Sequence, residues 1–269
     1  AVYASQKTPR SPSDVVFEVS SSMALGDHPG GFAGACWVFT NAESVRLYRG
    51  NDFIAEFTPD RRGRFAALPH PPIEIQDFVG SLLEKYEGLD QSTAPQVAAI
   101  LNEMRRDALN LSPLSRARML SLRLSANDLL RMYYKYIGVL GGPSSVYRFE
   151  AVWHGRTVRT VVREPVQSVR LECTVHNPIL TDGPTWDCAA VSLRAIDQNG
   201  SLLPYCGEAV QLSVDGPLKI IGPSVVPLRG GMAGTYLATT GEAGRAVLHC
   251  RMEGALDTDA VVTIRCREA

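Results

Sequence analysis

The sequence predicts a mainly β protein made of two β-sandwich domains, the first carrying an inserted block of about four α-helices. Short runs rich in β-branched and aromatic residues, separated by turn residues, occupy both ends of the chain. Between about 72 and 142 the apolar residues instead recur with a helical period. A break at Glu164-Pro165 divides the chain into domains at 15–167 and 168–269. The polar, proline-containing segment 1–14 is interpreted as a linker from an upstream region.

Three apolar runs open the first domain: Ala35–Phe39, Ser44–Tyr48 and Phe53–Phe57. Their composition and the turn residues between them are typical of an antiparallel β meander. Val45 and Leu47 alternate with polar neighbours, so one face of the second run is expected to be buried. A closing hairpin is expected much later in the chain, after Pro143.

Helical patterns fill the insertion, beginning at Phe78 and stopping at Gly138 or at Gly141-Gly142-Pro143. Thr93 with Gln96 and Ser125 with Asp128 are interpreted as capping boxes, and Ser112-Pro113 as an N-cap followed by the first helical residue. A small satellite core is the simplest explanation of the apolar helix positions. A helical cap, a dimer surface or a lid over a neighbouring cleft remain alternatives.

About seven short strands with regular turn signals make up 168–269 and describe an immunoglobulin-like sandwich. Asp187–Asp197 is the longest predicted strand. One face of it carries the small and aliphatic residues Ala189, Val191, Leu193 and Ala195. His249 and Cys250 are neighbours in another predicted strand, so their side chains should point to opposite faces and not share a metal ion.

The composition excludes several classes of function. With 27 basic and 28 acidic residues the net charge is −1, so neither nucleic acid nor a membrane is expected as a partner. The six cysteines include no CxxC pair and are interpreted as buried thiols of a reduced, cytoplasmic protein, with a disulfide set or a metal site as the alternative. No cofactor is expected. The chain begins without Met, which suggests that it starts inside a longer polypeptide.

Two stretches resemble glycoside hydrolase family 2, the β-galactosidase-like group. The segment VFTNAESVRLYRGNDFIAEFTPD is similar to a strand pair in a β-sandwich that follows the catalytic barrel of these enzymes. In the second domain, Asp182-Gly183, Asp197, Gly200 and Gly216-Pro217 match the turn spacing of the family's terminal sandwich. Gly222-Pro223-Ser224 departs from the family's "N-G-D", and the helical block has no counterpart in the general family pattern.

The resemblance implies a C-terminal accessory region, one that supports a catalytic barrel of the same polypeptide and could also supply contacts in a homo-oligomer. Enzymes of the family use two Glu on a (β/α)8 barrel to hydrolyse O-glycosidic bonds with retention. This sequence lacks the strand–helix alternation of such a barrel, so no catalytic residue is assigned and whether the chain itself is an enzyme stays open.

The alternative is a stand-alone carbohydrate-binding or surface adhesion module of tandem immunoglobulin-like domains. Sugar-binding modules stack sugars on exposed aromatic faces, which makes Trp153 and Trp186 the candidate carbohydrate-binding residues. Trp37 lies inside an apolar run and is expected in the core. Asp27-His28 and the basic run 61–64 are interpreted as solvated turns, although the basic run could bind an anion.

Overall fold

The structure, a computed structural model, describes residues 1–21, 23, 34–137 and 146–266. The chain forms two units, Ala1–Pro165 and Val166–Ala269. Each unit has its own hydrophobic core, and each is described by itself below. Asp27 and His28 lie outside the described residues, as do the predicted helix stops at Gly138 and at 141–143.

The strands of the first unit form two antiparallel sheets, preceded by short 3-10 helices at Ala4–Gln6 and Pro12–Asp14. The three-stranded sheet has the order β1-β2-β5, with β1 Phe17–Val19, β2 Trp37–Thr40 and β5 Ile73–Glu74. The four-stranded sheet has the order β4-β3-β6-β7, with β3 Ser44–Arg49, β4 Asp52–Phe57, β6 Tyr147–Trp153 and β7 Arg156–Arg163.

Only the second and third predicted runs pair with each other, so the prediction of one three-stranded meander is wrong. β3 pairs with β4, whereas β2 pairs with β1 and β5 in the other sheet. The reason lies at Asn41, directly after β2. Its amide nitrogen donates to the carbonyls of Lys7 and Asp14, at 2.8 and 3.2 Å, and its oxygen accepts from the N–H of Val16 at 2.8 Å. Asn41 thus anchors the start of the chain and does not close a hairpin.

Four helices lie between β5 and β6: α1 Leu82–Glu87, α2 Ala94–Arg106, α3 Pro113–Ser121 and α4 Ala126–Tyr136. Ser112 and Ser125 cap α3 and α4 as predicted, and Ser125 forms a full capping box with Asp128. The box predicted at Thr93 is wrong. The Thr93 side chain makes no capping hydrogen bond, and the carboxylate of Asp90 instead accepts from the Thr93 N–H at 3.0 Å.

The insertion begins later than predicted, because β5 is part of a sheet and α1 begins only at Leu82. The Asp77 carboxylate accepts hydrogen bonds from the N–H groups of Val79 and Gly80, at 2.9 and 3.1 Å, which makes a turn. Gly80 has φ +51°, and a Cβ there would lie 2.5 Å from the carbonyl oxygen of Ile54. A helix running through 78–81 is therefore excluded.

The helices do not form a satellite core, which corrects that expectation. Their buried side chains belong to the same cluster as those of both sheets, including Val38 of β2, Leu47 of β3 and Met132 of α4. Phe78 packs edge-to-face on Tyr147 of β6, with ring centroids 5.7 Å apart. Sheets and helices of the first unit are therefore stabilised by one common core.

The second unit contains two sheets of four and five strands, in the orders β12-β14-β10-β8 and β13-β11-β15-β16-β9. All strand pairs are antiparallel except β16 with β9. The strands are β8 Arg170–Val175, β9 Ile179–Asp182, β10 Cys188–Ile196, β11 Ala209–Asp215, β12 Leu218–Ile221, β13 Val225–Pro227, β14 Met232–Thr239, β15 Gly244–Met252 and β16 Thr258–Cys266. Strands β9 and β13 were not predicted.

The predicted face of β10 is confirmed, because Ala189, Val191, Leu193 and Ala195 are all buried in the second core. Cys250 is buried in that core while its neighbour His249 is on the outer side of β15, also as predicted. In the part of the chain that the structure describes, no helix is long and apolar enough to cross a membrane.

Candidate functional site

The two predicted sugar-binding tryptophans lie in different units. Trp153 ends β6, is half-buried, and has its ring centroid 4.2 Å from that of His154. Trp186 lies between β9 and β10 and is 58% exposed. Of the two, only Trp186 presents most of its surface to solvent.

A cleft of about 710 Å³ opens in the first unit around a third tryptophan. We call it the Trp37 cleft, defined by Trp37, 56–62, 64–65, Pro72, Glu74 and Gln76. Trp37 on β2 is directly opposite Glu74 on β5, so the two side chains share one face of the sheet. Phe65 meets Trp37 edge-to-face, with centroids 5.7 Å apart and ring planes at 88°. Trp37 is only half-buried, which corrects its predicted place in the core.

A tight turn holds the basic run that forms another wall of the cleft. The Asp60 carboxylate accepts hydrogen bonds from the N–H groups of Arg62 and Gly63, at 2.8 and 3.0 Å. A Cβ at Gly63 would lie 2.1 Å from an Asp60 side-chain oxygen, so a larger residue there would displace the Asp60 carboxylate from this position. This local structure fixes the backbone from which Arg61, Arg62 and Arg64 line the cleft.

The three arginines of this wall make no ion pair within the described residues. Arg61 donates to the carbonyl of Pro69 at 3.5 Å, which is a marginal hydrogen bond. The Arg64 guanidinium lies 5.4 Å from the centre of the Phe65 ring. The charge of these side chains is therefore available to a ligand.

The nearby carboxylate of Glu56 is already satisfied. It accepts hydrogen bonds from Ser44 and from Arg46, the latter at 2.9 Å, and these lower its pKa, the Ser44 hydroxyl having the largest effect. Glu74 accepts from the side-chain amide of Gln76 at 3.2 Å. The cleft therefore offers unpaired guanidinium donors together with the carboxylates of Asp60 and Glu74 and one amide.

A smaller apolar pocket of about 200 Å³ adjoins the Trp37 cleft and shares Trp37, Phe65 and Pro72 with it. Its other lining residues are Val2, Gln6, Phe39 and Leu68. The two aromatic rings thus separate a charged space from an apolar one.

A second cleft, of about 640 Å³, lies between β5, α1 and α2, but its polar groups are engaged in holding the helices. Asn102 donates to Asp77 at 2.7 Å, and Glu103 accepts from the backbone N–H of Ser112. The buried Arg105 guanidinium lies 4.0 Å from the centre of the Phe78 ring, and burial lowers its pKa. These contacts account for Asn102, Glu103 and Arg105 without a ligand.

Within the described residues, no group of three or more His, Cys, Asp or Glu side chains is placed to hold a metal ion.

His249 lies between two carboxylates, with Nδ1 2.8 Å from Asp259 and Nε2 3.2 Å from Asp215. Both contacts raise the pKa of His249, that of Asp259 more strongly.

Sequence reasoning missed the Trp37 cleft because its parts are far apart in the chain. The basic run was noticed, but nothing local brings it to Trp37. The only signal was the aromatic residue Phe65 directly after the run, since a loop that ends on an aromatic residue packs that ring against the protein.

No family model matches the chain. It is 25% identical over 214 residues to the β-galactosidase of Thermoanaerobacter pseudethanolicus, which covers 80% of this chain and 22% of that protein. A β-galactosidase of Rhizobium meliloti is 26% identical over 232 residues, covering 86% of this chain and 23% of that protein. The chain thus spans less than a quarter of the length of these relatives.

Solved structures agree at the level of the fold. A β-glycosidase from Bacteroides vulgatus matches with a TM-score of 0.56 at 10% identity, over 97% of this chain and 26% of that one. A β-glucuronidase from glycoside hydrolase family 2 matches with a TM-score of 0.52 at 11% identity, over 99% and 22%.

The fold of nearly the whole chain is therefore similar to that of a part of larger glycosidases. The described elements show no (β/α)8 barrel, because all four helices lie together between β5 and β6. The chain is homologous, over most of its length, to a partial and non-catalytic segment, about a quarter of the whole, of family 2 β-galactosidases and β-glucuronidases.

Proposed function

We propose that this chain is the C-terminal accessory region of a β-galactosidase-like family 2 glycoside hydrolase, and that it supports a catalytic barrel in the same polypeptide. The observation that carries the proposal is the coverage: 80% or more of the chain aligns with a quarter or less of each long relative. A free-standing module would be expected to match proteins of its own size.

The two units fit a supporting role because each has its own core. Among the residues that the structure describes, the first core contains 26 buried apolar residues and the second 19. Domains that have their own hydrophobic cores can in principle fold alone. The proposal includes two immunoglobulin-like sandwich domains, at 15–167 and 168–269. It also includes assembly into a homo-oligomer and a cytoplasmic location.

Activity measurements on two samples test the proposal. The isolated 269-residue chain should not hydrolyse 4-nitrophenyl β-D-galactoside, because the proposal places both catalytic carboxylates upstream. The native polypeptide, captured from source cells with an antibody against this chain, should hydrolyse it. Turnover by the isolated chain, or an inactive native polypeptide without a barrel, would refute the accessory role.

A second candidate function is a carbohydrate-binding or surface adhesion module, and the exposure of Trp186 favours it. An exposed indole is a suitable surface for stacking a sugar ring. If it is correct, a galactan oligosaccharide should bind the isolated chain, and Trp186→Ala or Trp153→Ala should abolish binding. Retained binding in both variants would exclude these residues as the sugar site.

A further inference from the structure

We propose that the Trp37 cleft binds an acidic saccharide, meaning a sugar that carries a carboxylate or a sulfate group. The site is in the first unit and shares no residue with Trp153 or Trp186. The proposal does not depend on the accessory role, because it rests on the cleft itself. Three features of the cleft lead to it: its aromatic wall, its unpaired arginines and its remaining acceptors.

The aromatic wall suits one face of a sugar ring. The axial C–H bonds of a pyranose form a small apolar patch that packs against a flat aromatic surface. Trp37 is half-buried and fixed by its strand and by Phe65, so little side-chain entropy would be lost on binding. The cleft volume of about 710 Å³ lies within the range of small-molecule sites, roughly 300–1,000 Å³.

The arginines supply the selectivity for an anion. A guanidinium binds carboxylate or sulfate oxygens through paired, charge-assisted hydrogen bonds. Arg62 and Arg64 make no side-chain hydrogen bond or ion pair with described residues, so a ligand would not have to displace an internal partner. The Asp60 turn holds their backbone in place before any ligand arrives.

The acceptors argue for a sugar and against a simple inorganic anion. The Glu74 carboxylate faces the same cleft, and as an acceptor it can take a hydrogen bond from a hydroxyl group but not from a bare inorganic anion. Glu74 and the Gln76 amide instead suit hydroxyl groups, which donate as well as accept hydrogen bonds. A ligand with an apolar ring face, several hydroxyls and one anionic group satisfies all three walls.

Calorimetric titration of the full 269-residue chain tests the proposal with three probes: tetragalacturonate, a sulfated galactan oligosaccharide and neutral β-1,4-galactotetraose. At least one acidic probe should bind, and the neutral one at least tenfold more weakly. Raising NaCl to about 0.5 M should weaken the acidic complex, because the guanidiniums are exposed. Which acidic probe binds identifies the anionic group. Failure of both, or equal binding of sodium phosphate alone, would overturn the proposal.

Matched variants locate the site. Arg62→Gln with Arg64→Gln should weaken binding at least tenfold without unfolding the chain, since neither side chain holds other described residues by hydrogen bonds. The control, Arg116→Gln with Arg245→Gln, makes the same change in net charge at exposed positions elsewhere and should alter binding by less than twofold. Trp37→Tyr should also weaken binding, and Trp186→Ala should not. Equal losses in both arginine pairs, or a loss only in Trp186→Ala, would contradict the assignment.

Discussion

The cores of the two units differ in composition. The first contains the fully buried rings of Phe78, Tyr136, Tyr147 and Phe149, whereas the second contains no aromatic residue among its buried members. Two facing sheets lie about 10 Å apart, a gap that Leu, Val and Ala fill well. Helices packed on sheets leave wider and less regular spaces. Large aromatic rings thus fill the spaces between the inserted helices and the sheets of the first unit.

The buried tyrosines of the first unit also need hydrogen-bond partners. The Tyr147 hydroxyl donates to the carbonyl of Tyr136 at 3.2 Å, and the Tyr136 hydroxyl donates to Glu87 at 2.7 Å. Burial raises the pKa of Tyr147 to about 12, so it remains a neutral donor at all physiological pH values. The first core is therefore tied to a polar network through its tyrosine hydroxyls.

The largest effect is expected in the aromatic core. Phe149→Ala removes a fully buried ring from β6 and should lower the free energy of unfolding by about 3–5 kcal/mol. Phe53→Ala on β4 is the matched control, because Phe53 is 48% exposed, and it should cost about 1 kcal/mol or less. Urea denaturation followed by tryptophan fluorescence measures both. Similar losses in the two variants would mean that this core does not carry the stability of the first unit.

Truncating a side chain in the aliphatic core of the second unit should lower the free energy of unfolding somewhat less. Leu193→Ala, on the central strand β10, should lower the free energy of unfolding by about 2–5 kcal/mol through the lost methyl groups and the cavity left behind. Leu256→Ala is the same change at a residue that is 77% exposed and should stay within about 0.5 kcal/mol. The same urea titration measures both variants. A small loss of unfolding free energy in Leu193→Ala would show that the second core can collapse around the cavity.

The polar network of the first unit should make stability depend on acid pH. Lys135, at 2.6 Å, Tyr136 and Arg131 lower the pKa of Glu87 to about 2, so the unfolded state binds a proton more readily. The contribution of Glu87 is complete above its ordinary pKa of 4.5 and is lost as pH falls towards 2. Glu87→Gln should make the loss of unfolding free energy at acid pH smaller, by on the order of 1–2 kcal/mol. Glu84→Gln on the same helix is the control and should leave the pH profile unchanged.

The smallest effect is expected at His249, on the surface of the second unit. Its pKa is raised by Asp259 first and Asp215 second, so its contribution to stability is complete below the ordinary pKa of 6.5. That contribution is lost as pH rises through the higher, folded pKa. NMR titration should find a pKa above 6.5, reduced more by Asp259→Asn than by Asp215→Asn. An ordinary His249 pKa of 6.5 in the unmodified chain would show that the contacts with Asp259 and Asp215 do not form in solution.

The sequence predicted what depends on local pattern. The alternation in β10, the caps at Ser112 and Ser125, and the four helices were all readable because each is encoded within about ten neighbouring residues. Strand partners were not, since β2 pairs with β5 more than thirty residues later in the chain. The Gly80 turn was missed for a similar reason: the clash that requires glycine there involves Ile54 in another strand.

The candidate site was less predictable than the fold. The apolar run around Trp37 is correct for a strand, but it does not tell whether the outer face meets solvent or a neighbouring loop. That outcome depends on the loop carrying Phe65 and the arginines, which the Asp60 turn directs back to β2. Exposure at the surface was the only feature that indicated Trp186 as a candidate binding residue.

The size of the native protein is the most direct test of the central claim. An antibody raised against this chain should detect, in source cells, a species several times larger than 29.2 kDa. That result is expected because the chain corresponds to less than a quarter of its long relatives. A native species of about 29 kDa would contradict the accessory role and would make the chain a module that acts alone.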